Sequence, residues 1–241
     1  MIAILTDFNN SEYLGVMKGV IYSINQNSKI VDLYNSVNHQ NIKEGAWILY
    51  KSYKYFPKNT IFLCVVDPSV GSSRQCLAIK TQTYFFVGPD NGLVYKAAIE
   101  DGILKVVELP TKNASSTFHG RDVFAKTAAL LEKGTKIEIL GKNTTIKTKL
   151  DFYLSGRQGE VVRIDNFGSI ITNLSPLNKN FYAVKTKNFN QKMNFCKTYE
   201  SAPFNKLFLI KGSSNTLEIS MKNSSALKKL RFKMGDKIEI I

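Results

Sequence analysis

Three polar residues of this chain occupy positions typical of catalytic or ligand-binding residues. Asp7 and Asp67 each follow a short apolar run, at residues 2–5 and 61–66, and His119 lies in the segment Thr-Phe-His-Gly-Arg-Asp. In an open α/β sheet the carboxyl ends of the strands face the ligand crevice, so polar side chains placed there converge on a small molecule. Two carboxylates and an imidazole can orient such a molecule and move a proton. The pattern predicts a small-molecule enzyme.

An arginine returns close to one of these acids. Residues 67–74 read Asp-Pro-Ser-Val-Gly-Ser-Ser-Arg, a strand end followed by a turn, so Asp67 and Arg74 can come within reach of each other. Asp122 could cap the helix that follows His119. Each feature alone has a structural explanation, because an Asp-Pro after a strand is usually a turn and a single histidine before a helix is usually structural. Together, at one edge of a sheet, they favour a functional site.

The elements that must position these residues form an α/β pattern. Over the first 150 residues strands alternate with helices, which predicts a mostly parallel sheet flanked by helices. The expected strands are 2–5, 30–34, 61–66, 75–80 and 84–87, and the expected helices are 12–25, 42–53 and 122–133.

The pattern of apolar and polar residues changes after residue 144. Short alternating stretches separated by Gly, Asn and Ser predict a smaller, mainly antiparallel β domain with one helix at 224–230. We place the boundary between residues 148 and 149, which gives domains 1–148 and 149–241. The expected strands of the second domain are 159–164, 169–173, 207–211, 217–221 and 237–241.

Composition narrows the function classes. The net charge of +14 invites a nucleic-acid hypothesis, but the basic residues are spread along the chain and no RNA-binding or zinc-finger signature accompanies the cluster at 228–233. A generic lysine-rich surface is favoured over a nucleic-acid partner, with an anionic effector as a third option. Three cysteines without a CxxC spacing and two histidines predict no disulfide framework and no metal site.

The apolar runs also bear on location. They are about strand length, far short of the roughly 20 residues that a membrane span needs. A strand pattern begins at residue 2, which predicts no signal peptide. We therefore expect a cytoplasmic protein without a membrane partner.

Taken in order along the chain, the motifs resemble one family. They are similar to those of the S-adenosylmethionine hydroxide adenosyltransferases, the adenosine-forming S-adenosylmethionine hydrolases that are homologous to fluorinase and chlorinase. The resemblance covers essentially the whole chain. It rests on Thr6-Asp7-Phe8, on Val-Val-Asp-Pro-Ser-Val-Gly at 65–71, on Val-Gly-Pro-Asp-Asn-Gly at 87–92, and on residues 13–20, 56–57, 117–122 and 165–173.

The resemblance implies a fold, an assembly and a reaction. The family joins an N-terminal α/β domain to a C-terminal β-barrel domain in a homotrimer, with each active site between the N-terminal domain of one subunit and the C-terminal domain of the next. Water, as hydroxide, attacks the ribose 5′ carbon of S-adenosyl-L-methionine and releases adenosine and L-methionine. No cofactor is expected, because S-adenosylmethionine is itself the substrate.

The resemblance also implies roles for particular residues. Asp67, Arg74 and His119 match the family's catalytic triad. Asp7 matches the ligand of the ribose hydroxyls, and Glu218 is a weaker substrate-binding candidate. The remaining substrate contacts are Asp165 for the methionine ammonium, Phe167 and Ser169 for adenine, and Ser214 for the methionine carboxylate.

Departures from the family pattern concern substrate binding and leave the triad intact. Ser169 replaces an asparagine that reads adenine, Asn35 replaces a histidine, and His39 falls where the family has proline, so we interpret it as a loop residue. Asn9 and Ser69 each replace a glycine, and the loop from Asp7 to the first helix is one residue short.

The same triad separates the reaction classes within the superfamily. Halogenases replace the matches of Asp67 and His119, so the sequence favours water over halide as the nucleophile. A non-catalytic protein that binds adenosine or S-adenosylmethionine and a nucleic-acid-binding module remain as alternatives.

Overall fold

The apolar runs of the first 150 residues become the strands of one seven-stranded sheet. The computed structural model describes residues 1–241, and these divide into two units, Met1–Leu150 and Asp151–Ile241. The strands of the first unit are β1 Ile2–Thr6, β2 Ile30–Tyr34, β3 Ile61–Val65, β4 Cys76–Thr81, β5 Phe85–Pro89, β6 Ile103–Glu108 and β7 Lys142–Asn143. Its α-helices are α1 Glu12–Ile24, α2 Ile42–Ser52, α3 Tyr95–Glu100 and α4 Lys126–Glu132.

The strand order of this sheet is β2-β1-β3-β5-β4-β6-β7. Neighbouring strands from β2 to β5 pair in parallel, and β4 pairs antiparallel with both β5 and β6. Every residue of β1 and β3 is buried, because helices cover both faces of the sheet there. The mostly parallel α/β sheet predicted from the sequence is confirmed.

Helices pack on the two faces of the sheet. Ile4 of β1 belongs to the same core as Met17 and Ile21 of α1. On the other face, α2 approaches β1 at Gly45, where an added Cβ would lie 3.4 Å from Leu5 Cδ2 and 2.8 Å from Leu93 Cδ1. None of the helices is long and apolar enough to span a bilayer.

Three elements of the first unit were missing from the sequence prediction, α3, β6 and the short strand β7. The predicted helix 122–133 starts earlier, because Gly120–Ala125 forms a π-helical stretch that runs directly into α4. Short 3₁₀ turns lie at Tyr53–Tyr55 and Ile137–Ile139.

The second unit is a closed β-barrel. Its strands are β8 Gln158–Ile164, β9 Ile170–Thr172, β10 Phe181–Thr186, β11 Phe189–Cys196, β12 Leu207–Lys211, β13 Leu217–Met221 and β14 Lys237–Ile240, with the helix α5 at Ala226–Leu230. They follow the order β10-β11-β12-β13-β9-β8-β14, and all neighbouring pairs are antiparallel except β11 with β12. The barrel implied by the resemblance is therefore confirmed.

The sequence prediction missed β10 and β11. In β11 only Met193 and Cys196 are buried, so its apolar periodicity is weak. The interior is filled from the other strands and α5 as well, by side chains that include Val161, Leu209 and Ile219.

Candidate functional site

The first unit has a cavity of about 540 Å³ at the carboxyl ends of its central strands. Thr6 pairs with Val65 in the parallel register of β1 and β3, so Asp7 and Asp67 follow the ends of adjacent strands. His119 is the residue before the π-helical stretch. The side chains of all three line this cavity, as the sequence predicted from their positions at strand ends and before a helix.

Asp67, Arg74 and His119 are in direct contact. Arg74 Nε donates to Asp67 Oδ1 at 2.8 Å, and Arg74 Nη2 donates to Asp67 Oδ2. The same Nη2 lies 2.9 Å from His119 Nδ1. The side chains of Arg74 and Asp67 are only 7% and 5% exposed, so the pair interacts away from bulk water. A buried, two-pronged ion pair of this kind has a fixed geometry.

Burial and the neighbouring charges shift the pKa values of His119 and Arg74 in opposite directions. Burial, together with the charge of Arg74, lowers the pKa of His119, although Asp67 and Asp122 oppose the shift. Burial alone would lower the pKa of Arg74, but the hydrogen bond and the charge of Asp67 raise it overall. We therefore expect a neutral imidazole beside a cationic guanidinium.

A cysteine joins the cluster that the sequence did not single out for chemistry. Cys76 is the first residue of β4, and its Sγ accepts a hydrogen bond from Arg74 Nη1 at 2.9 Å. The same sulfur lies 3.4 Å from His119 Nδ1. Burial raises the pKa of the Cys76 thiol even though Arg74 acts in the opposite direction, so the group is a neutral thiol. The only sequence signal was its position two residues after Arg74.

Asp7 stabilises the turn at His39 and Gln40, which also lines the cavity. Its Oδ2 accepts a hydrogen bond from Gln40 N at 2.9 Å, and His39 and Gln40 both line the cavity. Glu44, at the start of α2, accepts from the backbone N and from Nδ2 of Asn38 and so holds the other end of the turn. His39 is indeed a loop residue, and the structure adds that this loop is part of the cavity wall.

Three aromatic rings close one side of the cavity. Phe8, Tyr13 and Phe118 pack pairwise with ring centroids 5.3 to 6.0 Å apart, two of the three pairs edge to face. All three line the cavity, and Tyr13 is about half exposed. Such rings offer an apolar surface to a ligand that also meets the carboxylates.

The prediction that Asp122 caps the helix is wrong. The residue before the helical stretch is His119, and it makes no side-chain cap. Asp122 instead accepts from Ser115 N at 2.9 Å and pairs with Arg121 at 2.7 Å. The hydrogen bond from Arg121, with smaller contributions from Ser115 and nearby charges, lowers the pKa of Asp122 to about 2. Asp122 thus ties the loop before His119 to the helix.

Three of the predicted binding residues of the second unit, Asp165, Phe167 and Ser169, lie in the turn between β8 and β9. Asp165 Oδ1 accepts from Phe167 N at 3.0 Å and from Ser169 N at 2.8 Å. This bonding leaves the ring of Phe167 83% exposed while Ser169 is buried. Ser169 Oγ accepts from Ser220 Oγ at 3.0 Å, which links the turn to β13. Gly168 has φ +79°, and a Cβ there would lie 2.0 Å from Ser225 Oγ.

Glu218 is a buried acid next to this turn. Burial, with the negative charge of Asp165, raises its pKa to about 7. Tyr199, which the sequence analysis did not single out, lies with its hydroxyl 3.4 Å from Glu218 Oε2. An added Cβ on Gly212 would lie 1.6 Å from Glu218 Oε1, so the glycine leaves room for the carboxyl. Ser214 lies two residues further on, partly exposed, in the turn between β12 and β13.

Each unit offers its own chemistry. The first unit provides the carboxylates of Asp7 and Asp67 and the imidazole of His119 around a cavity, with Arg74 in contact with the latter two. The second unit provides two neighbouring acids and an exposed ring, a combination suited to an ammonium group and a flat heterocycle.

Known proteins resemble this chain over its whole length. Residues 2–141 match the SAM hydroxide adenosyltransferase N-terminal domain, and residues 159–239 match the SAM hydroxide adenosyltransferase C-terminal domain. A protein of Methanocaldococcus jannaschii named (R)-S-adenosyl-L-methionine hydrolase is 36% identical and covers 100% of this chain and 95% of its own length. A Thermus thermophilus protein of the same name is 32% identical over 98% of each chain.

More distant sequences and solved structures agree with these matches. A fluorinase of Actinopolyspora mzabensis is 23% identical over 59% of this chain and 57% of its own. The crystal structure of an uncharacterized conserved protein from Thermotoga maritima has a TM-score of 0.93 and 33% identity over the full length of both chains.

Proposed function

The chain belongs to the S-adenosylmethionine hydroxide adenosyltransferase family, and we propose that it hydrolyses S-adenosyl-L-methionine to adenosine and L-methionine. The observation that carries the proposal is the contact of Asp67, Arg74 and His119 at the edge of the cavity. Both residues that separate hydrolases from halogenases, Asp67 and His119, are present and in contact with the same guanidinium.

The reaction is a displacement at the ribose 5′ carbon. The oxygen of water forms the new C5′–O bond while the C5′–S bond breaks, and sulfur keeps the electron pair of the broken bond as a neutral thioether. One proton of the water is released overall. The leaving group needs no protonation, so the protein has to hold a poorly solvated oxygen nucleophile beside a cation.

Electrostatic attraction stabilises this oxygen nucleophile. Two opposite unit charges about 4 Å apart attract by about 4 kcal/mol at an effective dielectric constant of 20. Arg74 and the sulfonium both favour a hydroxide-like oxygen near them. A carboxylate or imidazole that orients the water contributes a further factor of about 10² to 10⁴.

The binding roles follow the polarity of each residue. We propose that Asp7 accepts hydrogen bonds from the ribose hydroxyls and that the rings of Phe8 and Phe118 contact the ribose side of the substrate. Asp165, with Glu218 as a weaker contributor, is proposed to receive the methionine ammonium. Phe167 and Ser169 are proposed to contact adenine, and Ser214 to bind the methionine carboxylate.

The test is product analysis in labelled water. Purified protein is incubated with each sulfonium epimer of S-adenosyl-L-methionine in H₂¹⁸O, with and without chloride, and the products are followed by mass spectrometry. We expect equimolar adenosine and methionine, with the label in the 5′-hydroxyl of adenosine and no chlorinated nucleoside. We expect the R epimer to be preferred, because the curated relatives are named for it.

Asp67→Asn provides the matched site variant. We expect it to lose at least about 100-fold in turnover. The control is Asp32→Asn, which changes an exposed carboxylate of β2 that pairs with Lys18 of α1. This variant should retain turnover. Adenosine carried through purification without turnover would favour the non-catalytic binding protein, and adenosine formed without the label would refute attack of water at the 5′ carbon.

We propose a homotrimer in which the barrel of one subunit completes the cavity of the next. Inactive Asp67→Asn and inactive Asp165→Asn proteins, unfolded and refolded together, would then regain activity, because some sites combine two intact halves. No recovery would contradict a shared site. We also propose a cytoplasmic location, since all three cysteines are free thiols, as is usual in a reducing compartment.

A further inference from the structure

Arg74 donates hydrogen bonds from all three of its side-chain nitrogens. Nε and Nη2 reach the two oxygens of Asp67, Nη1 reaches Cys76 Sγ at 2.9 Å, and Nη2 also reaches His119 Nδ1 at 2.9 Å. Cys76 completes a closed ring of contacts, because its sulfur lies 3.4 Å from the same His119 nitrogen.

The chemistry of arginine decides the direction of these bonds. A guanidinium has five N–H donors and no acceptor, so His119 Nδ1 must accept and cannot carry a proton. The Cys76 sulfur likewise accepts from Arg74, which leaves its S–H free to share the single Nδ1 lone pair with Arg74 as a second, weaker donor. In the neutral imidazole the ring proton must then sit on Nε2, the nitrogen left for a molecule in the cavity.

We propose that Cys76 is a positioning residue that acts with Arg74 to hold His119 in the tautomer protonated on Nε2, so that His119 donates a hydrogen bond to the reacting oxygen and does not accept its proton. The inference rests on the proposed function. Asp67 then receives the proton of the attacking water and passes it to solvent. It can do so because Asp67 Oδ2 can accept a second hydrogen bond beside the one from Arg74, whereas Oδ1 already accepts from Ser69 Oγ at 3.3 Å.

The tautomer can be read in the free protein. With ¹⁵N-labelled histidine only two rings contribute signals, those of His39 and His119, and comparison with His119→Gln assigns them. We expect His119 to show an unprotonated Nδ1 and a protonated Nε2 at neutral pH. A protonated Nδ1, or a doubly protonated ring, would overturn the proposal. This reading needs no substrate, so it stands even if the hydrolase function fails.

Two substitutions of His119 separate a donor from a base. The glutamine of His119→Gln offers an amide N–H in place of Nε2–H and an oxygen that can accept from Arg74, but it cannot take up a proton. We expect its kcat to stay within about tenfold of wild type, whereas His119→Ala should lose about 100-fold or more. Equal inactivity of both variants in a folded protein would show that His119 is the proton acceptor.

Variants of Cys76 test its positioning role. Cys76→Ala should give a mixture of His119 tautomers and lower kcat about fivefold with little change in KM, the loss expected for one weak hydrogen bond. Cys76→Ser keeps a donor and an acceptor and should recover most of the loss. The control is Cys64→Ala in β3, which removes another fully buried thiol and should leave both tautomer and kcat unchanged. A Cys76→Ala protein with the wild-type tautomer and kcat would refute the role of Cys76.

Discussion

Glu218→Gln should remove a pH-dependent loss of stability from the barrel. The pKa of Glu218 is raised from 4.5 to about 7, first by burial and then by the charge of Asp165. Glutamine has nearly the same shape and keeps an oxygen that can accept from Tyr199. The substitution therefore removes the charge and leaves the packing unchanged.

The direction of the pH dependence of stability follows from the protonation of Glu218 in the folded and unfolded states. Between pH 4.5 and about 7 the folded protein holds a proton on Glu218 that the unfolded chain has lost, so the free energy of unfolding falls as the pH rises. The stabilisation is complete below 4.5 and gone above 7. The difference in pKa corresponds to about 3 kcal/mol, and screening by solvent reduces the expected effect to about 1 to 2 kcal/mol.

The assay is urea denaturation followed by circular dichroism at about pH 5 and about pH 8.5. We expect Glu218→Gln to be within about 0.5 kcal/mol of wild type at the lower pH and about 1 to 2 kcal/mol more stable at the higher pH. Glu200→Gln is the control, because the Glu200 side chain is 94% exposed, and it should change stability at neither pH. A Glu218→Gln protein no more stable than wild type at the higher pH would refute the reasoning.

Two further predictions concern contacts within the first unit. Glu44→Ala removes the buried carboxylate that accepts two hydrogen bonds from the exposed residue Asn38. We expect it to cost about 1.5 to 3 kcal/mol in urea denaturation and to raise KM by loosening the turn that binds Asp7. An unchanged KM would show that the turn is held by other contacts. Gly88→Ala would place a Cβ 2.4 Å from the Cys64 carbonyl oxygen and should lower stability by about 3 kcal/mol. The control is Gly19→Ala in α1, where the Cβ would have open space, and it should raise stability by about 0.5 to 1 kcal/mol. Similar effects of the two substitutions would contradict the close approach of β3 and β5.

The sequence was most informative where local pattern and burial coincide. The apolar runs of β1 and β3 are fully buried, so their ends could be located and Asp7 and Asp67 placed at one sheet edge. The contact between Asp67 and Arg74 was also predictable, since both belong to one short turn.

Other features depend on contacts between distant parts of the chain. Cys76 and His119 are 43 positions apart, and no local pattern brings a thiol to an imidazole. Gln40 lines the cavity because its backbone N–H donates to Asp7, and every residue type except proline has this donor. The exposed strand β11 lacks apolar periodicity. Asp122 was misassigned because the helical stretch begins before it, at Gly120, and its carboxylate binds Ser115 N and Arg121.

The π-helical stretch Gly120–Ala125 gives the chain a length constraint just after His119. A π-helix bonds each carbonyl to an N–H five residues on, one more than in α4, so the stretch contains an extra residue relative to α-helical geometry. Since an α-helix turns about 100° per residue, deleting one residue here would let the stretch close into an α-helix and swing His119 around the axis, away from Arg74. Members of the family should therefore tolerate insertions and deletions beyond Gly134 but keep a constant spacing between the histidine and α4.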